Sequence, residues 1–210
     1  MLLLEVLDMK FGTSCHAHEV QEALKFFDYV EVWDHAFPGQ AYHTKSGERV
    51  TRPEEVQAFK PYVVVHTDAP PPIRIPGVFV ENIPAEQPEH VASVLNGNDF
   101  LLDIGHAFTS NLYKGPAACD PYDYDRWFAL KPKALHFHDC RIDIPNPHGK
   151  IDAADHQMLG FGVLPLRGIL KRAIQEGLLY CTLECFMDGF WKGRSYPFEV
   201  KRRVLDNLLR

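Results

Sequence analysis

Several short, mostly apolar runs in this chain end in a side chain able to bind a metal ion. Val63-Val64-Val65 leads to His66, Val78-Phe79-Val80 to Glu81, and Phe100-Leu101-Leu102 to Asp103. Ala134-Leu135 leads to His136, and Thr182-Leu183 to Glu184. An ionisable group at the end of a buried run is costly unless it is paired, hydrogen-bonded or metal-bound. Glu81, Asp103, His136 and Glu184 together make a hard, mixed oxygen and nitrogen shell. Such a shell suits one divalent ion: Mn2+, Zn2+, Mg2+ or Co2+.

Such side chains converge only if the runs are parallel strands whose carboxyl ends share one mouth, as in a barrel. The rest of the chain fits that requirement. Strand-length runs alternate with helix-period segments, the pattern of a parallel α/β domain. Val20, Ala23, Leu24 and Phe27 mark one apolar helix face within 18–27. Further helices are expected over 86–95, 122–130, 164–176 and 197–209, and a short one opened by a capping box at Thr51 and Glu54. Seven convincing strands are expected: 11–15, 29–33, 62–66, 77–81, 100–103, 134–138 and 179–184. Only fourteen residues separate His66 from Glu81, too few for a helix and a return. The expectation is therefore a TIM-type (β/α) barrel, compact or incomplete, with one βα unit missing, and a single domain spanning 1–210.

Three motifs in order narrow this further. Asp103-Ile104-Gly105-His106-Ala107-Phe108 resembles the D-x-x-H-A-F signature of the xylose-isomerase-like superfamily, which includes sugar isomerases, ketose 3-epimerases and endonuclease IV. His136-Phe137-His138-Asp139 is similar to its H-x-H/N-D strand, and His156 through Gly162 to its H-x-x-x-G-x-G. Glu81-Asn82 and Glu184 take the places of its two glutamates. The resemblance implies a metal-dependent isomerase or epimerase of a small sugar or related hydroxy-carbonyl compound. Glu81 and Glu184 would be its paired proton-transfer groups. It also implies an alternative, a phosphoester hydrolase of the endonuclease IV type, with a second metal drawing on His66, His106 and His156. Two departures count against a full three-metal site. Ala154 stands where that pattern has aspartate, Asp155 being displaced by one, and a further histidine has no evident place. A third alternative is a catalytically silent relative that binds metal or a partner.

Other residues leave two readings open. His138 shares a strand face with His136 and is either an additional ligand or a packing partner. Gly160 and Gly162 read as a phosphate loop or as a plain turn. Arg141 reads as a substrate contact or a solvated side chain, and Glu31 as a substrate contact or the partner of a core cation. His16 lies near the expected mouth, while His18 starts a helix. Trp33, Phe37 and Tyr42 read as a pocket wall or as core. The apolar stretch 186–196, with Phe190 and Trp191, covers the mouth or mediates self-association, so a homo-oligomer stays open. Lys201-Arg202-Arg203 reads as a solvated helix face.

Composition sets the outer limits. A net charge of −6 works against a nucleic-acid partner and leaves a small-molecule substrate as the expectation. Eleven histidines in 210 residues favour metal chemistry. Five irregularly spaced cysteines give no disulfide framework. Residues 1–7 lack the basic start and cleavage site of a leader, and no stretch reaches the ~20 apolar residues of a membrane span. The expected setting is cytoplasmic.

Overall fold

The computed structural model describes residues 8–33, 39–44, 47–114, 120–142, 153–187 and 195–210. Eight parallel strands close into a barrel: β1 (Lys10–Cys15), β2 (Tyr29–Val32), β3 (Ala41–His43), β4 (Val63–His66), β5 (Val78–Glu81), β6 (Asp99–Asp103), β7 (Ala134–Phe137) and β10 (Tyr180–Leu183). The last of these returns to lie between β7 and β1. An antiparallel hairpin of β8 (Asp139–Ile142) and β9 (Ala153–Gln157) stands outside the ring. The helices are α1 (Val20–Ala23), α2 (Pro88–Val94), α3 (Ile104–Lys114), α4 (Asp125–Phe128), α5 (Leu166–Gln175) and α6 (Phe198–Leu209).

The expectation of an incomplete, seven-stranded barrel is therefore wrong. The eighth strand is β3, within what reads in sequence as a loop. It is only three residues long and has no apolar run. Its register nevertheless bridges both neighbours, Glu31 opposite Ala41 and His43 opposite Val64. The link between β4 and β5 contains no helix and is pinned from across the surface. Asn98 accepts the Ile75 N–H at 2.7 Å and donates to the Ile73 carbonyl at 3.0 Å. Ile75 thereby enters the core beside Val63, Val65, Val78 and Val80. A helix also went unread in sequence: α3 follows β6 without any loop, burying Ile104, Ala107 and Phe108 on one face.

Strand alternation sorts the side chains into an outer and an inner set. Outward residues such as Val30, Leu102, Leu135 and Leu183 pack under the helices. Inward residues Tyr29, Phe79, Leu101 and Ala134, with Tyr62 just before β4, fill the amino-terminal half of the barrel, and Tyr180 packs against them. Gly12 gives Tyr29 its space, since a Cβ there would lie 2.3 Å from the Tyr29 ring. Two residues further along the inward faces of β2, β3, β5, β6 and β7, the apolar plug gives way to Glu31, His43, Glu81, Asp103 and His136.

Lys201 departs from the expected solvated face. It is wholly buried, donates to Thr13 Oγ1 at 3.1 Å, and sits beside the rings of Phe186 and Phe198. Burial pulls its amine below the ordinary value. The folded state then binds fewer protons than the unfolded one, so this residue's penalty is largest near neutrality. It fades as pH rises toward the unfolded amine's pKa of about 10.4. Lys201→Met should therefore raise stability at pH 7 by about 1 kcal/mol. Urea unfolding at a series of pH values should show that gain shrinking as pH rises.

Candidate metal centre

Four neighbouring strands deliver the expected ligand set to one point. Glu81 ends β5, Asp103 ends β6, His136 lies on β7 and Glu184 follows β10. Asp103 and His136 are register partners. All four are buried, and ligand atoms from them lie within 4.8 Å of one another. His136 Nδ1 stands 3.0 Å from Glu81 Oε1 and 3.1 Å from Glu184 Oε2.

Burial on its own would push these carboxyls up and keep them neutral. The imidazoles overcome it. His136 and His43 hold Glu81 well below the usual range, His136 and His156 do the same for Glu184, and His106 and His138 lower Asp103. His136 is in turn driven far up: burial opposes its charge, but Glu184, Glu31 and Glu81 outweigh it. The cluster thus keeps its carboxylates ionised with an imidazolium at its centre. A divalent cation fits that electrostatic role and this donor set. The buried Glu184 Oε2 has two imidazole nitrogens near it, His136 Nδ1 at 3.1 Å and His156 Nε2 at 3.4 Å, yet makes no well-formed hydrogen bond among the described residues. The cluster is suited to a single divalent metal ion.

Neighbouring residues fix the orientation of the four. Asn82 locks Asp103 through two backbone bonds, accepting its N–H at 2.9 Å and donating to its carbonyl at 3.1 Å. His106 donates its backbone N–H to Asp103 Oδ1 at 2.7 Å. Its Nδ1 faces the Asn82 carbonyl at 2.9 Å and must donate there. His138 is held the other way round. Its Nδ1 accepts the His156 N–H at 2.9 Å, with the Asp139 carbonyl at 3.2 Å, and its Nε2 faces Asp103 Oδ2 at 3.0 Å. Gly105 makes this fit possible, because a Cβ there would lie 2.1 Å from His138 Cε1.

The other sequence candidates divide clearly. His66 faces Glu81 Oε2 at 3.5 Å, and His156 faces Glu184 Oε2 at 3.4 Å. His156 also has a φ of +55°, in the left-handed region. Arg141 is exposed on β8, outside the buried group. The phosphate-loop reading of Gly160 and Gly162 fails: Asp139 Oδ2 already accepts both their N–H groups, at 3.0 and 2.9 Å. Its Oδ1 accepts those of Cys140 and Leu164. His16 and His18 stack on each other, and neither joins the buried cluster. Phe37, Cys119, Phe190 and Trp191 lie outside the described residues, as does the 1–7 segment.

One residue of the mouth, His43, escaped the sequence reading of the site, and Glu31 was read only as a substrate contact or the partner of a core cation. His43, on the unread strand β3, places Nε2 2.7 Å from Glu81 Oε2 and stacks on Trp33 at 3.6 Å. Its sequence signal was the same inward alternation, Ala41 and then His43, too short to register. Glu31 has no core lysine or arginine partner among the described residues. It faces His136 Nε2 at 3.2 Å and accepts the Tyr62 hydroxyl at 2.8 Å.

No protein-family model matches this chain, and no curated protein matches it in sequence. Solved structures do resemble it. A D-tagatose 3-epimerase-like protein superimposes with a TM-score of 0.60 at 15% identity, covering 96% of this chain and 97% of that one. The TTHB071 protein from Thermus thermophilus, soaked with ZnCl2, gives 0.56 at 18% identity, over 95% and 98%. AsfvAP:AG gives 0.58 at 12% identity, over 97% and 100%. These likenesses show the fold, a closed TIM-type barrel shared with those structures. No described helix is long and apolar enough to cross a membrane.

Gly105→Ala should push the His138 ring away from Asp103. Zinc affinity, measured by chelator competition, should fall about tenfold or more, while the far-ultraviolet circular dichroism stays that of a folded barrel.

Proposed function

We propose that this protein is a metal-dependent isomerase or epimerase of a small sugar or related hydroxy-carbonyl compound, working by proton transfer between glutamates. The observation that carries the reading is the order of the ligands around the ring. Glu81 and Glu184 stand at the two ends of the four-strand arc, with Asp103 and His136 between them. A substrate whose neighbouring oxygens sit at the centre of that arc has a carboxylate on either side. Glu81, Asp103, His136 and Glu184 would hold the ion, which supplies Lewis acidity to polarise the substrate carbonyl.

The chain's own residues then do the proton work. One glutamate takes the proton from the carbon beside the carbonyl, and the other returns a proton. The likeness to a D-tagatose 3-epimerase-like protein supports the same reading. The net charge of −6 favours a small-molecule substrate over nucleic acid.

The test is exchange of a substrate C–H proton with solvent deuterium across a panel of ketoses and aldoses, using protein carrying one metal per chain. Glu81→Gln and Glu184→Gln should each lower exchange about 10²- to 10⁴-fold. No metal-dependent exchange on any sugar would refute the proposal.

One observation favours a second reading, a two-metal phosphoester hydrolase. Glu81 turns Oε1 toward His136 and Oε2 toward His43 and His66, and His43, His66 and Glu81 form a ligand group of their own. A carboxylate with one oxygen for each of two groups suits a bridging role. His43 also supplies a histidine from a strand that is not evident in the sequence. On this reading the wild type binds two metals per chain and His43→Ala binds one. An abasic-site oligonucleotide or a simpler phosphodiester is then cleaved by the wild type alone. One metal per chain in both proteins eliminates it.

A further inference from the structure

Glu31 is buried at the end of β2, has the same inward orientation as the proposed ligands, and has no part in the proposed proton transfer. Both its oxygens lie 3.2 Å from His136 Nε2. Oε2 also accepts the Tyr62 hydroxyl at 2.8 Å, while Oε1 has no hydrogen bond among the described residues. Tyr62 is held in turn, its oxygen 2.6 Å from Thr182 Oγ1 and 3.2 Å from the Tyr29 hydroxyl. Thr182 and Tyr29 are themselves 2.7 Å apart. This closed group of hydroxyls sits between the aromatic plug and the mouth, and fixes one face of Glu31.

The two nitrogens of His136 thus meet different surroundings. Nδ1 looks toward Glu81, Glu184 and Asp103, the proposed ion-holding groups. Nε2 looks toward Glu31 alone among the described carboxylates. A carboxylate that accepts Nε2–H leaves Nδ1 with its lone pair free to bind metal, and raises the basicity of that nitrogen. We infer that Glu31 is a positioning residue that, braced by Tyr62, fixes His136 as the Nε2–H tautomer and presents Nδ1 to a divalent cation. The inference rests on the metal reading above but not on the reaction assigned to it.

The experiment compares wild type, Glu31→Gln and Tyr62→Phe as full-length proteins loaded with zinc alone, or with cobalt as a spectroscopic stand-in. Zinc affinity by chelator competition should fall about 10- to 100-fold in Glu31→Gln. Tyr62→Phe should lose less, in the same direction. Stoichiometry should not change, and thermal stability of the metal-free proteins should not follow the loss. Long-range proton–nitrogen correlation should show His136 as the Nε2–H tautomer in the zinc-loaded wild type. The cobalt absorption bands should shift in Glu31→Gln. Unchanged zinc affinity in Glu31→Gln overturns the inference, as does a proton on His136 Nδ1. Loss of a whole metal equivalent also overturns it, since Glu31 would then be a ligand. Should Glu31→Gln fail to fold, unchanged affinity in Tyr62→Phe decides against it. If the wild type takes up neither zinc nor cobalt, the metal reading itself fails. If it binds zinc but exchanges no sugar proton, only the isomerase reading does.

Discussion

Four carboxyl groups, those of Glu31, Glu81, Asp103 and Glu184, lie buried at one end of the barrel, and the rest of the site answers to that constraint. Withdrawing carboxylates from water is expensive, and mutual repulsion adds to the cost. Of the six histidines gathered around them, His136 and His43 are the two whose charged form the carboxylates favour, and the others add close polar contacts. Asn82 and Gly105 serve the same end without charge. One ties the backbone of Asp103 to β5, and the other leaves room for the ring that supports its carboxylate.

The lower half of the barrel gives the upper half its footing. Tyr29, Tyr62, Phe79 and Tyr180 pack edge to face in a dense plug. Their hydroxyls are directed so that Tyr62 ends on Glu31. Apolar packing and the ionisable cluster therefore meet at a single shared layer. A change in the plug that moved Tyr62 would be felt through Glu31 at His136.

Much of this was legible in the chain. Strands with clear apolar runs stood out, and their last residues named Glu81, Asp103, His136 and Glu184 as a set. The motif order identified the fold. What escaped was short or polar. Ala41–His43 offers one small apolar residue, and its pairing depends on β2 and β4 being already in place, which no local pattern records. Its loss from the reading removed His43 and made a closed barrel look open. Lys201 was misread because a lysine in a basic run suggests solvent, while its burial is set by Thr13, Phe186 and Phe198 from other parts of the chain. The phosphate loop failed for a related reason: the carboxylate filling that turn, Asp139, comes from the strand before it.

The barrel's outer coat is uneven. Beneath Asp103, His136 and Glu184 the strands are backed by long helices, including α3, α5 and α6. Behind β3, β4 and β5 the cover is made of loop residues, Val50, Val56, Phe59 and Ile75, with Tyr42 and Leu95. Segments held by loops open locally at lower free energy than segments clamped by helices. The two histidines on that thinner side, His43 and His66, therefore belong to the part of the ring that breathes most readily. A substitution that loosens this cover would reach His43 and His66 before it reached the arc from Glu81 to Glu184.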